Sequence, residues 1–293
     1  MSFRDYLKVS GRDLPVLDTV RLGHLQSDAV KDRLDELAFL VDDYDLAWQE
    51  YMRSGGFPRA VYEVLENGAI SPSYAKDLEA WLVSDVGEVD SPASIPLTLA
   101  ALAQRATSPL NLTRTAQELH FSGRGQFTRM IQRLISTFAL VECPQRDSHG
   151  AWVKNAQAKY YLADPVLAWL PSRLRAGLPE PDFTALTEMA LGTALAYAID
   201  DVEEGRLVTN DTVGYLRTSS GNEVDFVPVS IATPDRAEET TPLESKWVAK
   251  GWKAKARTIS SAFGHGILAT RNILDTTGAV WAVPAPLVAM LIR

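Results

Sequence analysis

The sequence predicts an α+β fold, and three observations carry that prediction. Apolar residues recur at three- and four-residue steps through the first third. In the middle, three helical runs precede two β-like segments. The last third mixes β-segments and helices in the order α-β-β-β-α-β-β-α, which suggests a central mixed sheet flanked by helices. Three units follow from these textures: a helical bundle over 1–92, a helix-turn-helix with a β-hairpin over 93–165, and an α/β domain over 182–293.

From Ser27 to Asp90, Val30, Leu34, Leu37, Ala38 and Val41 draw one apolar stripe between charged faces. Gly55-Gly56-Phe57-Pro58 interrupts the run. Pro58 suits the first turn of a new helix through about Leu65, Gly68 closes it, and Ser71-Pro72 opens another that carries Tyr74, Leu78, Trp81 and Leu82. In the second unit, Pro96 to Ala106 and Thr113 to His120 read as helices and Ser122 to Gly125 as a tight turn. Gln126 to Thr137 reads as a third helix with Phe127, Met130, Ile131 and Leu134 inward. Ala139 to Cys143 and Lys159 to Leu162 are β-like and flank a polar loop, Gln145 to Gly150. This is the order of a winged helix-turn-helix.

After Pro165 the prolines at 171, 179 and 181 mark a linker before an apolar helix, Ala185 to Ile199. The β-segments Thr212 to Arg217 and Glu223 to Ile231 are separated by the turn-forming run Thr218 to Asn222, and Thr241 to Trp247 follows an acidic loop. A helix from about Lys253 to Phe263, short strands near Ile267 and Val280, and a helix after Pro286 complete the chain.

With 293 residues, 46% of them hydrophobic and 23% charged, the composition is that of a globular protein and excludes disorder as the main theme. The formal charge of −8 argues against a surface that coats nucleic acid everywhere. Residues 1–90 hold 9 basic and 18 acidic side chains, so the negative charge belongs to the helical bundle and the rest is near neutral. Cys143 is the only cysteine, which excludes an internal disulfide and suits a reduced, cytoplasmic setting. The four histidines, at 24, 120, 149 and 265, lack ligand spacing. The charged opening Met1 to Lys8 is unlike a signal peptide, and the apolar stretch Gly278 to Ile292 is short and broken by Pro284 and Pro286, so neither export nor a membrane partner is expected.

The sharpest chemical constellation is Gly221-Asn222-Glu223-Val224-Asp225-Phe226 followed by Pro242-Leu243-Glu244-Ser245-Lys246-Trp247. Side chains alternate along a strand, so Glu244 and Lys246 share a face, and Asp225 on a neighbouring strand can stand beside them. Two hard carboxylates can hold Mg²⁺ against a phosphodiester while a lysine orients the attacking water. An isolated Glu-x-Lys equally suits a solvated charged face. The placement, Asp in one apolar β-run and Glu-x-Lys in the next, resembles the PD-(D/E)xK restriction-endonuclease-like fold.

The resemblance widens beyond that motif. Tyr51 to Pro58, the helix-turn-helix block, Lys159 to Pro165, Glu223 to Phe226 and Leu243 to Lys246 occur in the order found in a prokaryotic family. The chain resembles the C-terminal region of AAA-type ATPases that end in the domain of unknown function 4143, and Ser2 to Leu7 resembles the stretch where the ATPase module of that family finishes. The likeness fits either a natural short protein or a fragment of a longer ATPase. It implies a nuclease-like site with Asp225, Glu244 and Lys246 as catalytic residues, Asp225 and Glu244 as ligands of Mg²⁺, and a separate ATPase or other protein as partner.

Two departures matter. No Gly-x-x-x-x-Gly-Lys-Ser/Thr occurs, so no ATP site is recognised and no ATP hydrolysis is expected of this chain alone. The glutamate that the family places four residues after a glycine falls on Ala196, counted from Gly192; Glu188, on the other side of that glycine, could substitute as a metal ligand. For nucleic acid, the third helix offers Arg129 and Arg133, with Arg124 before it and Thr128 and Gln132 between. Lys250, Lys253 and Arg257, interleaved with Trp247 and Trp252, form a second basic cluster that could track a phosphate backbone. The plainer alternatives are a solvated helix face for the cations and core packing for the tryptophans. The sequence therefore supports a DNA-binding protein with a nuclease-like domain, with a catalytically silent binding or adaptor module as the alternative.

Overall fold

A computed structural model describes residues 1–86, 94–202, 213–232 and 237–293. The predicted boundary between 92 and 93 and the start of the β-segment at Thr212 lie outside the described residues.

The chain opens with a helix absent from the sequence prediction, α1 (Phe3–Val9), which begins on a capping box: Ser2 Oγ accepts the Asp5 N–H and the Asp5 carboxylate accepts the Ser2 N–H. Next come α2 (Asp28–Glu36), α3 (Val41–Ser54), α4 (Pro58–Asn67) and α5 (Pro72–Val86). Pro58 stands in the first turn of α4, and Gly68 ends it in the left-handed region at φ 77°, as the sequence anticipates. Helices α6 (Ser94–Gln104), α7 (Leu112–Glu118) and α8 (Arg124–Ser136) follow, with Asn111 capping α7 through the Arg114 N–H. The expected turn before α8 is shorter than predicted, because Arg124 and Gly125 already belong to its first turn.

Strands β1 (Leu140–Cys143), β2 (Gln145–Arg146) and β3 (Lys159–Leu162) come next. β1 and β3 pair antiparallel, from Leu140 opposite Leu162 to Cys143 opposite Lys159. The stretch expected to be a linker instead opens with α9 (Pro165–Leu174). Asp164 caps it, Pro165 suits its first turn, and Val166 to Pro171 are buried. Then come α10 (Phe183–Val202), β4 (Tyr215–Arg217), β5 (Glu223–Val224), β6 (Ser230–Ala232), β7 (Ala237–Glu239), β8 (Leu243–Ser245), α11 (Trp252–Lys255), α12 (Arg257–Phe263), β9 (Gly266–Thr270), β10 (Val280–Pro284) and α13 (Ala285–Ile292).

The β-structure is divided among several small sheets. β9 lies between β8 and β10, all parallel, and α11 and α12 make the crossover from β8 to β9. A second sheet has the order β2-β4-β5, parallel then antiparallel, and β6 pairs with β7. An antiparallel bridge between Phe226 and Leu243 brings the chain just after β5 against β8. That bridge is what builds the site.

Among the described residues, one main apolar core runs from Phe3 to Ile292 through all three predicted units, and a smaller one under α12 gathers Val224, Val227, Ile259 and Leu268. Helix α10 is apolar around its circumference and accordingly touches neighbours on all sides, among them α3, α9, α13, β3 and β8. The Trp48 indole donates to Thr187 Oγ1 at 3.2 Å, tying α3 to α10. Gly192 lets α10 approach the sheets: a Cβ there would stand 2.8 Å from the Tyr161 ring and 2.9 Å from that of Phe226.

Candidate functional site

The site assembles where α10, β3, β5 and β8 meet. The Phe226–Leu243 bridge pairs both main-chain groups, so Asp225 falls beside Glu244 across the two strands. Alternation along the chain puts Lys246 on the same side as Glu244. Lys246 Nζ lies 3.0 Å from Glu244 Oε1 and 3.4 Å from Asp225 Oδ2, so the structure brings together the three residues that strand alternation grouped. Asp225 Oδ2 also accepts the Ser245 N–H at 3.0 Å.

Glu188 reaches the cluster from α10 through a residue that the motif did not include. Lys159, at the start of β3, places Nζ 3.0 Å from Glu188 Oε1, 2.9 Å from Asp225 Oδ1 and 3.5 Å from Glu223 Oε2. The Tyr161 hydroxyl, two residues along β3 and therefore on the same face, donates to Glu188 Oε1 at 2.9 Å. Lys159 is fully buried. Its one advance signal was the alternation of Lys159 with Tyr161 in the β-run 159–162.

Burial sets the electrostatics. It opposes the charged form of Asp225, but Lys159 and Lys246 outweigh it and hold the carboxyl below its usual range. Glu188 is pushed up to about 7 by burial and by the neighbouring Asp225 charge, against the pull of Lys159. Glu244 is also pushed up to about 7 by burial, against Lys246. Burial opposes the charge on Lys159, yet Asp225 and Glu188 hold its ammonium well above the ordinary lysine range. Cys143, opposite Lys159 on β1, is raised by burial to about 12 and stays a thiol at neutral pH.

The donor set does not fit the divalent ion that a nuclease-like fold implies. Glu188 Oε1 and Asp225 Oδ1 are committed to Lys159, Asp225 Oδ2 to Ser245 and Lys246, and Glu244 Oε1 to Lys246. Glu244 Oε2 and the neighbouring Ser245 Oγ are buried without a hydrogen-bond partner. The space between Glu188 and Asp225 is filled by an ammonium.

The residues expected to meet nucleic acid are dispersed. Arg124 and Arg129 are exposed on α8, whereas Arg133 is half-buried and already engaged. Arg124, Thr128 and Gln132, one turn apart on α8, line a cleft of 440 Å³ whose other wall includes Asn111, Asn155 and Gln157. Lys250, Lys253 and Arg257 are exposed around α11 and α12. Trp247 and Trp252 pack against the two cores, with Arg271 over the first ring and Lys253 over the second, so the tryptophans follow the core alternative.

A family model described as Domain of unknown function (DUF8612) matches residues 45–175. That segment contains Lys159 and the α8 arginines and stops before Glu188, Asp225, Glu244 and Lys246. Comparison with curated proteins and with solved structures returns no match. Among the described residues no helix is long and apolar enough to cross a membrane.

Proposed function

We propose that this chain is a nucleic-acid-binding protein with a nuclease-like C-terminal domain whose carboxylate–lysine cluster is structural and catalytically silent. The observation that carries the reading is a division of exposure. Glu188, Asp225 and Glu244 are 3%, 2% and 2% exposed, so a phosphodiester has no access to the oxygens that would have to organise its cleavage. Arg124, Arg129, Lys250, Lys253 and Arg257 are open to solvent and free to meet phosphate. The order of α6, α7 and α8 followed by the β1–β3 ladder supports a winged helix, in which α8 would enter the major groove and arginines would contact phosphate or guanine.

Fluorescence anisotropy with duplex DNA over a salt series tests this. Binding is expected to weaken steeply with salt, and Arg129→Ala to reduce the slope of log K against log salt by about 1. An affinity indifferent to salt would remove the reading.

A second reading, docking to a separate ATPase or another protein, draws on exposed apolar side chains of the acidic helices: Tyr62 and Leu65, neighbours on α4, and Phe39 just before α3. Light scattering after size exclusion, alone and with a lysate fraction, tests it; a monomer that retains nothing counts against it.

A further inference from the structure

We propose that the Lys159 ammonium is the resident cation of the carboxylate cluster, seated between Glu188 and Asp225 where a divalent ion would otherwise be held, and that it makes the site refractory to Mg²⁺ and Mn²⁺. The inference rests on reading the cluster as buried and silent, and it names what keeps it so.

The geometry is specific. Lys159 Nζ is within 3.0 Å of one oxygen from each of two carboxylates carried on different elements, Glu188 on α10 and Asp225 after β5. A third carboxylate, Glu223, stands at 3.5 Å. An ammonium with three donors can serve three such oxygens, and Nζ lies 5.3 Å from the centre of the Tyr215 ring, whose face also favours a cation. Lys246 plays the same part on the other side, bridging Asp225 and Glu244. Both gaps between the carboxylates are thus closed by positive charge supplied by the chain.

A divalent ion would have to displace Lys159 while the ammonium stayed charged, and the lysine is wholly buried. Expelling a paired ammonium into an apolar interior is unfavourable. Removing it by mutation leaves Glu188 and Asp225 facing each other across a vacated space, a hard-oxygen pair of the kind that takes Mg²⁺ or Mn²⁺. The lysine comes from β3, within the segment matched by the family model, and the carboxylates come from the domain after it, so the same contact holds the two together.

Titration of Mn²⁺ followed by the electron paramagnetic resonance of the free ion tests the proposal, on the full chain and without nucleic acid. Metal uptake is thereby read separately from DNA binding, which tests the silent-binder reading by itself. Wild type is expected to leave the free-ion signal unchanged. Lys159→Ala is expected to take up Mn²⁺ and so to lower the free-ion signal, and Lys159→Ala with Asp225→Asn to lose that uptake. If circular dichroism shows that Lys159→Ala has not folded, Lys159→Met, which keeps the apolar stem and lacks the charge, replaces it. Uptake by wild type that Asp225→Asn abolishes overturns the proposal, as does a folded Lys159 variant that takes up no Mn²⁺. Should neither variant fold, the wild-type titration decides: no uptake supports the proposal, and Asp225-dependent uptake overturns it.

Discussion

At the scale of the residue, Asp225 is the hinge of the cluster, since both lysines and the Ser245 N–H converge on its two oxygens. Asp225→Asn leaves two cations facing a neutral amide and is expected to cost about 3–5 kcal/mol in urea unfolding. Adding Lys159→Met to that variant should recover part of the loss, because the uncompensated ammonium is then gone. Stability should also carry a pH signature. Glu188 and Glu244, at about 7, and Asp164, raised by burial to about 6, titrate above their unfolded values. Between about pH 4.5 and 7 the folded chain holds protons that the unfolded chain releases, so these groups lower stability as pH rises. Asp225 acts in the opposite sense, but only near and below its usual range, and the raised lysines change nothing below about pH 10. The melting temperature is therefore expected to fall from pH 5 to pH 8, less steeply in Glu244→Gln. A rising profile would contradict the burial account. Strand alternation made Asp225, Glu244 and Lys246 legible in the sequence. Lys159 was not legible, because a lysine at a strand end is ordinarily solvated and only tertiary packing, with α10, β1 and the Tyr215 ring around it, encloses it.

At the scale of the element, α10 is the support on which the site depends, and Gly192 sets how closely it lies on β3 and the Asp225 strand. Gly192→Ala drives a methyl into two buried rings and is expected to destabilise by about 1–3 kcal/mol in thermal or chemical unfolding. An unchanged or raised stability would show that α10 can move away without loss. Helices with a proline start and a glycine stop, α4 above all, were legible because local chemistry fixes both ends. α9 was hidden by its own punctuation: Pro165 serves its first turn, while Pro171 sits inside it, tolerated in a helix that tertiary burial holds on most sides. The two-residue strands β2 and β5 carry no periodicity of their own and exist through pairing with β4.

At the scale of the whole molecule, the predicted units share one main core, and the negative charge stays with the N-terminal helices. The later part, near neutral, presents arginines on α8 and lysines around α11 and α12 to solvent while it closes its carboxylates away from it. The proposed nucleic-acid-binding function rests on this division of charge and burial. The most direct measurement combines binding and integrity in one experiment: single-stranded DNA, duplex DNA and RNA incubated with the full chain and Mg²⁺ or Mn²⁺, followed by anisotropy and by gel. Salt-sensitive retention of duplex DNA, with every substrate intact, is expected. Metal-dependent cleavage that disappears in Asp225→Ala and in Lys246→Ala would contradict it.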